Sequence, residues 1–426
     1  MKSYIAGSII LMLLFFQCSM NLPEKAVAKV PLRSNELANL EVDQMIKPER
    51  IEMFLMKLNQ LRQSKGDSLL KIIHIGDSHI QMGYFSGEVR NALQARFGGE
   101  GIGIFFPNSL CSGYNPLGLD ISSPNNWQCD KITNPEPSLP LGIVGMALKT
   151  SDAVSVIHVS FKGKKEKVRQ FTVFHANLDE THTISCPNGN VVTQRFSEKS
   201  SMTTVTMQQE ADTAFVQFMR TAGVENPLVI YGLSVNSPAQ HGIAYNTFGV
   251  SGGQYKYFDK NTPLLFEQLS AFKPDLMIIS LGSNDSYDKT LTAEGYKNML
   301  RAFIVKLRTA SPRTEFILTT PPDTQYKGSK PVSGSIVNQA IIEIGIQANC
   351  AVWDFYKVMG GYGSVRQWRK KKLGNKDGLH LTSDGYYLQG QLFNLALARA
   401  MEQKYPGTGW VEEAEATLAK TMQSPK

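Results

Sequence analysis

Neither C-x-x-C nor H-E-x-x-H occurs anywhere in the 426 residues, so the two commonest zinc frames are missing and no metal or other cofactor is expected. Charge of one sign is also scarce. A net +7 spread over so long a chain gives a weak pull toward acidic polymers and no nucleic-acid-binding surface, so no nucleic-acid partner is expected. The chain lacks the low apolar content and charge excess of a disordered protein, since 42% of it is hydrophobic and 19% charged. There is no internal repeat and no low-complexity tract. Long apolar runs are lacking as well, except for residues 5–16, which are broken only by Gly7 and Ser8 and preceded by Lys2. That run is short for a membrane span and suits the core of an export signal.

Residues 1–18 are therefore expected to be a signal peptide or a lipoprotein signal, with 19–42 a polar linker. Cys18 ends the run and is a candidate for lipid attachment, although Phe15, Phe16 and Gln17 depart from the leucine and small residues usual before such a cysteine. An uncleaved hydrophobic anchor is the alternative. The expected location is outside the cytoplasm, either periplasmic or as a membrane-anchored lipoprotein. In an oxidising compartment disulfides persist, and Cys111 and Cys129 are close enough in sequence to close a loop. Two buried thiols would fit the same sequence.

Beyond the linker, hydrophobic spacing divides the chain. Residues 49–63 carry Ile51, Phe54, Leu55, Leu58 and Leu61 at helical period. Residues 69–75 form a compact apolar run ending in Gly-Asp-Ser, a buried strand entering a loop, and 85–97 reads as a helix closed by two glycines. Strands over 275–281, 315–320 and 351–355 then alternate with helices over 294–309, 335–347 and 383–403, the rhythm of a parallel sheet covered on both faces. The middle differs. Residues 153–161, 170–175, 203–207, 213–219 and 228–233 are short runs rich in Val, Ile, Thr and Phe without helical period, which predicts an inserted β-sandwich. The expected divisions are 43–111 for the first part of the α/β domain with its N-terminal helix, 112–236 for the β-rich insertion, 237–405 for the second part and 406–426 for a C-terminal tail.

Three loops at predicted strand ends carry reactive residues: Gly76-Asp77-Ser78-His79, Gly282-Ser283-Asn284-Asp285 and Asp377-Gly378-Leu379-His380. In parallel sheets such loops meet at one crevice. Together with the glycine turn Gly249-Val250-Ser251-Gly252-Gly253 they supply a nucleophile, a base, a group to orient the base and oxyanion donors. Each piece alone is weak: Gly-Asp-Ser is usually a turn, and Asp-x-x-His before a helix is commonly a cap.

The four blocks, in this order, resemble those of SGNH (GDSL-like) hydrolases over roughly residues 67–105 and 240–400. The resemblance implies a three-layer, flavodoxin-like α/β fold with a parallel sheet, and a role for each matching residue. Ser78 would be the nucleophile, His380 the base and Asp377 its partner. The backbone N–H groups of Ser78 and Gly252 and the side-chain amide of Asn284 would receive the oxyanion. The long β-rich insertion between the first two blocks, with the second reading Gly-x-Ser-Gly-Gly-Gln, is similar to bacterial peptidoglycan O-acetylesterases, which carry a carbohydrate-binding-like sandwich at that place. By that resemblance an acetyl group would leave the 6-hydroxyl of N-acetylmuramic acid, making an acetylated glycan the partner. Esterase action on other acetylated polysaccharides, O-acetyl transfer and non-catalytic glycan binding are the alternatives.

Other residues have weaker claims. Gly249 to Gly253 also satisfies G-x-S-x-G, and Ser251 with Asp354 and His380 would follow the α/β-hydrolase order. Against this, residues 246–248 make a poor buried strand, no clear helix follows Ser251, and no HGGG-type loop precedes it. His79, Gln254 and Trp368 are candidates for substrate contact, with His79 and His241 expected near the site as support. Trp127 and Tyr114 would suit either sugar stacking or the core. Arg366 and residues 369–372 form a basic patch before Asp377, suited to acidic stem peptides or simply to water.

Overall fold

The computed structural model describes residues 37–63, 68–111, 113, 115, 118–164, 166–236 and 241–423. The expected signal, Cys18, most of the linker and Tyr114 lie outside them. Residues 33–426 form one compact unit. None of its helices, among the described residues, is long and apolar enough to cross a membrane.

At its centre is a six-stranded sheet in the order Met45–Ile46, Ala351–Trp353, Glu315–Thr319, Leu276–Ser280, Leu69–Gly76 and Gly242–Gly249. The first strand is antiparallel and the other five are parallel. Counting the parallel strands along the chain gives the order 2-1-3-4-5, the flavodoxin-like winding. Its strands read as apolar runs because helices cover both faces. Ile72, Ile73, Ile75 and residues 276–279 are all essentially inaccessible. On one face Tyr84–Phe97 packs against Ser383–Lys404, and on the other Ala293–Ala310 packs against Leu265–Phe272 and Gly334–Gln347.

The winding reverses between Leu69–Gly76 and Leu276–Ser280. There the chain leaves two neighbouring strands toward opposite faces, and a crevice opens at their carboxyl ends. Gly76 makes the exit from the first strand possible, since a Cβ on it would stand 2.1 Å from Ile80 Cγ1 in the helix Ser78–Gln81.

The middle of the chain folds into antiparallel sheets. One holds Gly189–Arg195, Ser200–Ala211, Val168–Ala176, Leu228–Val235, Met146–Thr150 and Gln128–Lys131, with Ile102–Phe105 also paired to Leu228–Val235. The other holds Leu119–Ser122, Val154–Phe161, Thr213–Arg220 and His182–Ser185. Burial alternates along Val154–Phe161, as a sheet with one face in a core requires. Phe171, Val173 and Phe218 of these sheets share one continuous hydrophobic cluster with Met277, Phe303 and Ile344 of the α/β layers. Cys111 and Cys129 form a disulfide, while Cys186 and Cys350 are free and buried.

Three expectations need correction. Residues 246–248 do not make a poor strand, because Gly242–Gly249 is a full member of the parallel sheet. Asn246 is accommodated there by donating to the Ile72 carbonyl at 2.8 Å and accepting from the Ile104 N–H at 2.8 Å. The last residues are not a tail: Trp410–Gln423 is a helix, with Trp410 buried against Phe97. Residues 37–42 are not free linker either, since Leu37, Ala38 and Leu40 are buried.

Candidate active site

Ser78 is the first residue of the helix Ser78–Gln81, directly after the strand Leu69–Gly76 and the capping residue Asp77. The Asp77 side chain accepts from the His79 N–H at 2.9 Å, which fixes the turn that presents the serine. Asp77 is fully buried, and burial pushes its carboxyl up to about 7 despite hydrogen bonds that work the other way.

The loop before the last long helix presents the histidine. Asp377 Oδ1 accepts from the backbone N–H groups of Leu379 and His380 at 2.9 and 3.0 Å, and its Oδ2 lies 2.7 Å from His380 Nδ1. The carboxylate thus shapes its own loop and orients the ring. Burial raises the Asp377 carboxyl, but the bonds from His380 and Leu379 outweigh it and hold the group below the ordinary aspartate value. Gly378 has φ +72°, and a Cβ there would stand 2.3 Å from the Gln325 carbonyl oxygen, so only glycine fits. On the other side of the ring, His380 Nε2 is 2.9 Å from Ser78 Oγ. Both His380 and Asp377 are about one-third exposed, so the serine–histidine pair opens to solvent.

The remaining two blocks meet the first. The Asn284 amide donates to the Gly253 carbonyl at 3.1 Å and to Asp77 Oδ2 at 3.3 Å, linking three loops through one side chain. Gly252 has φ +80°, and the neighbouring Ser251 N–H donates to Gln81 Oε1 at 2.9 Å. A Cβ at Gly249 would lie 2.2 Å from the Gln81 backbone nitrogen, so glycine lets this turn close onto the serine's helix.

The rival arrangement does not assemble. Ser251 is exposed, and Asp354 caps a short helix by accepting from Lys357 N–H while also bonding Thr320, with His380 already held by Asp377. Among the weaker candidates, Trp368 is corrected outright. It is fully buried and its indole N–H donates to the Leu37 carbonyl at 2.8 Å, so it is a core residue under the basic helix. His79 lies beneath the site and not on its surface, with Nδ1 2.9 Å from the Tyr386 hydroxyl and its ring 5.3 Å from that of His380. Burial pushes its imidazole down to about 3. His241 is at the opposite end of its strand, against Gly98, and takes no part. Gln254 is half-buried beside the Gly252 turn, with Oε1 lacking a partner among the described residues. Trp127 is half-buried against the core, and Arg366 with residues 369–372 is exposed. Gln81 and Tyr386 were not anticipated. Each acts only through neighbours distant in sequence, and no local pattern announces either.

A parallel sheet wound in this order, with a serine, a histidine and an aspartate in hydrogen-bonded sequence at its switch point, has the layout of a serine hydrolase. Residues 232–388 match the GDSL-like Lipase/Acylhydrolase family model, a span that contains Gly252, Asn284, Asp377 and His380 but begins after Ser78. That match, together with the hydrogen-bonded serine, histidine and aspartate, marks the protein as a carboxylic ester hydrolase. Among solved structures, a peptidoglycan O-acetylesterase is similar with a TM-score of 0.64 and 18% identity, covering 92% of this chain and 99% of its own. At that identity the likeness establishes the shared fold. A lipase/acylhydrolase from Enterococcus faecalis matches 38% of this chain and 77% of its own at 24% identity, with a TM-score of 0.30. An acetylxylan esterase from Geobacillus stearothermophilus matches 40% and 75% at 19% identity, with a TM-score of 0.27. No curated protein sequence matches the chain.

Proposed function

We propose that the protein is an exported esterase that removes O-acetyl groups from a cell-wall glycan, with peptidoglycan N-acetylmuramic acid as its substrate. The observation that carries the chemistry is the unbroken path from Asp377 Oδ2 to His380 Nδ1 at 2.7 Å and from His380 Nε2 to Ser78 Oγ at 2.9 Å. The Ser78 oxygen attacks the acetyl carbonyl while His380 Nε2 takes its proton. Asp377 holds the ring with Nδ1 protonated and stabilises the imidazolium. The tetrahedral oxyanion is received by the N–H groups of Ser78 and Gly252 and by Asn284. Its collapse expels the sugar hydroxyl, which leaves with the proton from His380. Water then attacks the acetyl-serine, delivering a proton to His380 and on to Ser78, and acetate departs.

The substrate class is supported by the likeness over nearly the whole chain to a peptidoglycan O-acetylesterase. The family resemblance of the sequence blocks points the same way. Export is supported by the short apolar run after Lys2 and by the Cys111–Cys129 disulfide, a bond that persists outside the cytoplasm. The half-buried serine, opening to solvent beside His380, suits a polymer, which must lie across a surface and cannot thread into a closed pocket.

The test is acetate release from O-acetylated peptidoglycan and from acetylated xylan by the full chain, with Ser78→Ala as control. Peptidoglycan should be the better substrate and the variant should lose activity by about 10⁴-fold or more. Undiminished activity in Ser78→Ala would overturn the mechanism, and a preference for xylan would overturn the substrate.

A further inference from the structure

Beside the serine's helix is a half-enclosed cavity of about 280 Å³, lined among others by Gln81, Ser86, Arg90, Tyr245, Gly249 and Tyr387. Gln81 is the last residue of the helix that Ser78 begins, so about 4.5 Å of helix axis separates the cavity wall from the serine. Gly249 precedes the turn that carries Gly252. The cavity therefore adjoins two of the loops that build the active site, on the side of the sheet edge formed by Gly242–Gly249.

Two of its groups lack the partners that their burial calls for. Arg90 is half-buried, and among the described residues its guanidinium bonds the side-chain oxygen of Asn91, at 3.3 Å from Nε and 3.1 Å from Nη2. Among the described residues no carboxylate comes within 4.0 Å of it. The exposed Glu166 and the Tyr245 hydroxyl act on it from beyond that distance. Burial pulls the guanidinium below its ordinary pKa, the mark of a cation whose lost hydration has not been replaced. Ser86 is 1% exposed, and its Oγ has no hydrogen-bond partner among the described residues. A half-buried cation with no carboxylate partner and a buried hydroxyl with no acceptor line one cavity, and an anion seated between them would engage both.

We propose that this cavity is a subsite for a carboxylate carried by the glycan substrate, received by the Arg90 guanidinium and the Ser86 hydroxyl. It rests on the esterase reading of Ser78 and adds the charge of the substrate. The planar fork of arginine matches a carboxylate and gives charge-assisted bonds. The cavity holds an acid-bearing substituent but no polymer, so the sugar backbone would run across the half-buried serine while its acidic branch enters beside it. Peptidoglycan carries carboxylates on its stem peptides, and on the lactyl group of the acetylated sugar where the peptide has been removed, and acetylated xylan backbones carry neither.

Two measurements on the full chain test this. In calorimetric titration, N-acetylmuramic acid should bind at least about tenfold tighter than N-acetylglucosamine, and the preference should shrink with added salt. In Arg90→Gln the two sugars should bind within about twofold of each other, and Arg90→Lys should fall between. Ser86→Ala, which leaves the charge intact, should lose a few-fold of the preference and serves if Arg90→Gln is misfolded by its melting curve. Equal affinity for the two sugars in the wild-type protein, or an unchanged preference in both Arg90→Gln and Ser86→Ala, would overturn the subsite. Secondly, acetate release should be faster from O-acetylated muropeptides with free carboxylates than from amidated ones, and Arg90→Gln should abolish that ratio. No acetate from any substrate would fail the esterase reading alone, since the titration needs no turnover.

Discussion

Asn284 donates its side-chain amide to the Gly253 carbonyl at 3.1 Å, and the same amide reaches Asp77 at 3.3 Å. One side chain at the end of the third parallel strand thus holds the loops after the first and second. A group placed this way positions the glycine turn, and in the proposed mechanism the N–H of the longer bond, to Asp77, turns to the oxyanion as negative charge develops. Asn284→Ala should therefore lower kcat by about 10² to 10³-fold with a smaller change in KM. Steady-state kinetics on a soluble acetyl ester would read this, and an equal rise in KM with kcat unchanged would assign Asn284 to ground-state binding.

Ser251 sits in a G-x-S-x-G sequence, yet its hydroxyl is exposed and His380 is bonded to Ser78. Ser251→Ala is expected to keep activity within a few-fold of wild type, whereas Ser78→Ala is inactive. Serine labelling by a fluorophosphonate, followed by peptide mapping, offers a separate check. A label on Ser251 in preference to Ser78 would reverse the assignment.

Gly378 stands between the two members of the Asp377–His380 pair. Its φ of +72° and the 2.3 Å gap to the Gln325 carbonyl leave no room for a methyl group. Gly378→Ala should shift the loop, lengthen the His380–Ser78 contact and reduce kcat by at least about tenfold, since small displacements of reacting groups carry large rate penalties. The strain should also cost about 1 to 3 kcal/mol of stability, measured by urea unfolding. Unchanged kinetics would show that the loop tolerates another path.

Asp43 is fully buried, accepts a 2.9 Å bond from the Trp353 indole at one oxygen and leaves the other without a partner among the described residues. Burial pushes its carboxyl up to about 7, against 3.8 ordinarily. Between those values the folded protein holds a proton that the unfolded chain has released, so this group's contribution to stability is lost as pH rises from about 4 to about 7. Asp43→Asn keeps the acceptor for Trp353 and cannot ionise. Its gain over wild type should grow from near zero at pH 4 to at most about 4 kcal/mol at pH 8. Melting curves of both proteins across that range test the sign, and a gain that shrinks with rising pH would contradict it.

The Cys111–Cys129 disulfide closes a loop with a sequence separation of 18 and forms part of a pocket that also contains Gln81, Val250 and Ser251. Replacing both cysteines by serine should cost about 3 kcal/mol, mainly by releasing the unfolded chain. Urea unfolding midpoints with and without the bond measure this. Because the loop abuts the Gly252 turn, the loss should be accompanied by lower activity near the unfolding temperature and not far below it.

Local sequence determined a good deal. Apolar runs long enough for a strand and bounded by polar loops named the sheet, and helical spacing named its covering layers, because burial imposes a period on each element that any reader of side chains can follow. Gly76-Asp77-Ser78 and Asp377-x-x-His380 stood at predicted strand ends, but each was weak alone, and their roles came from the resemblance of the four blocks, in order, to a hydrolase family. The strand Gly242–Gly249 was hidden, since Asn246 breaks its apolar pattern and is tolerated only through bonds to Ile72 and Ile104. Trp368 was misplaced for the converse reason: four of the five residues after it are basic, and only the packed chain shows its indole turned inward onto Leu37. What tertiary structure alone decided was proximity. That Ser78 and His380 meet across 302 residues, and that the helix face carrying Ser86 and Arg90 shares a cavity with Gln81 and Gly249, follows from how the strands are ordered in the sheet. That order is set by the mutual packing of the layers, a property no stretch of the chain carries by itself.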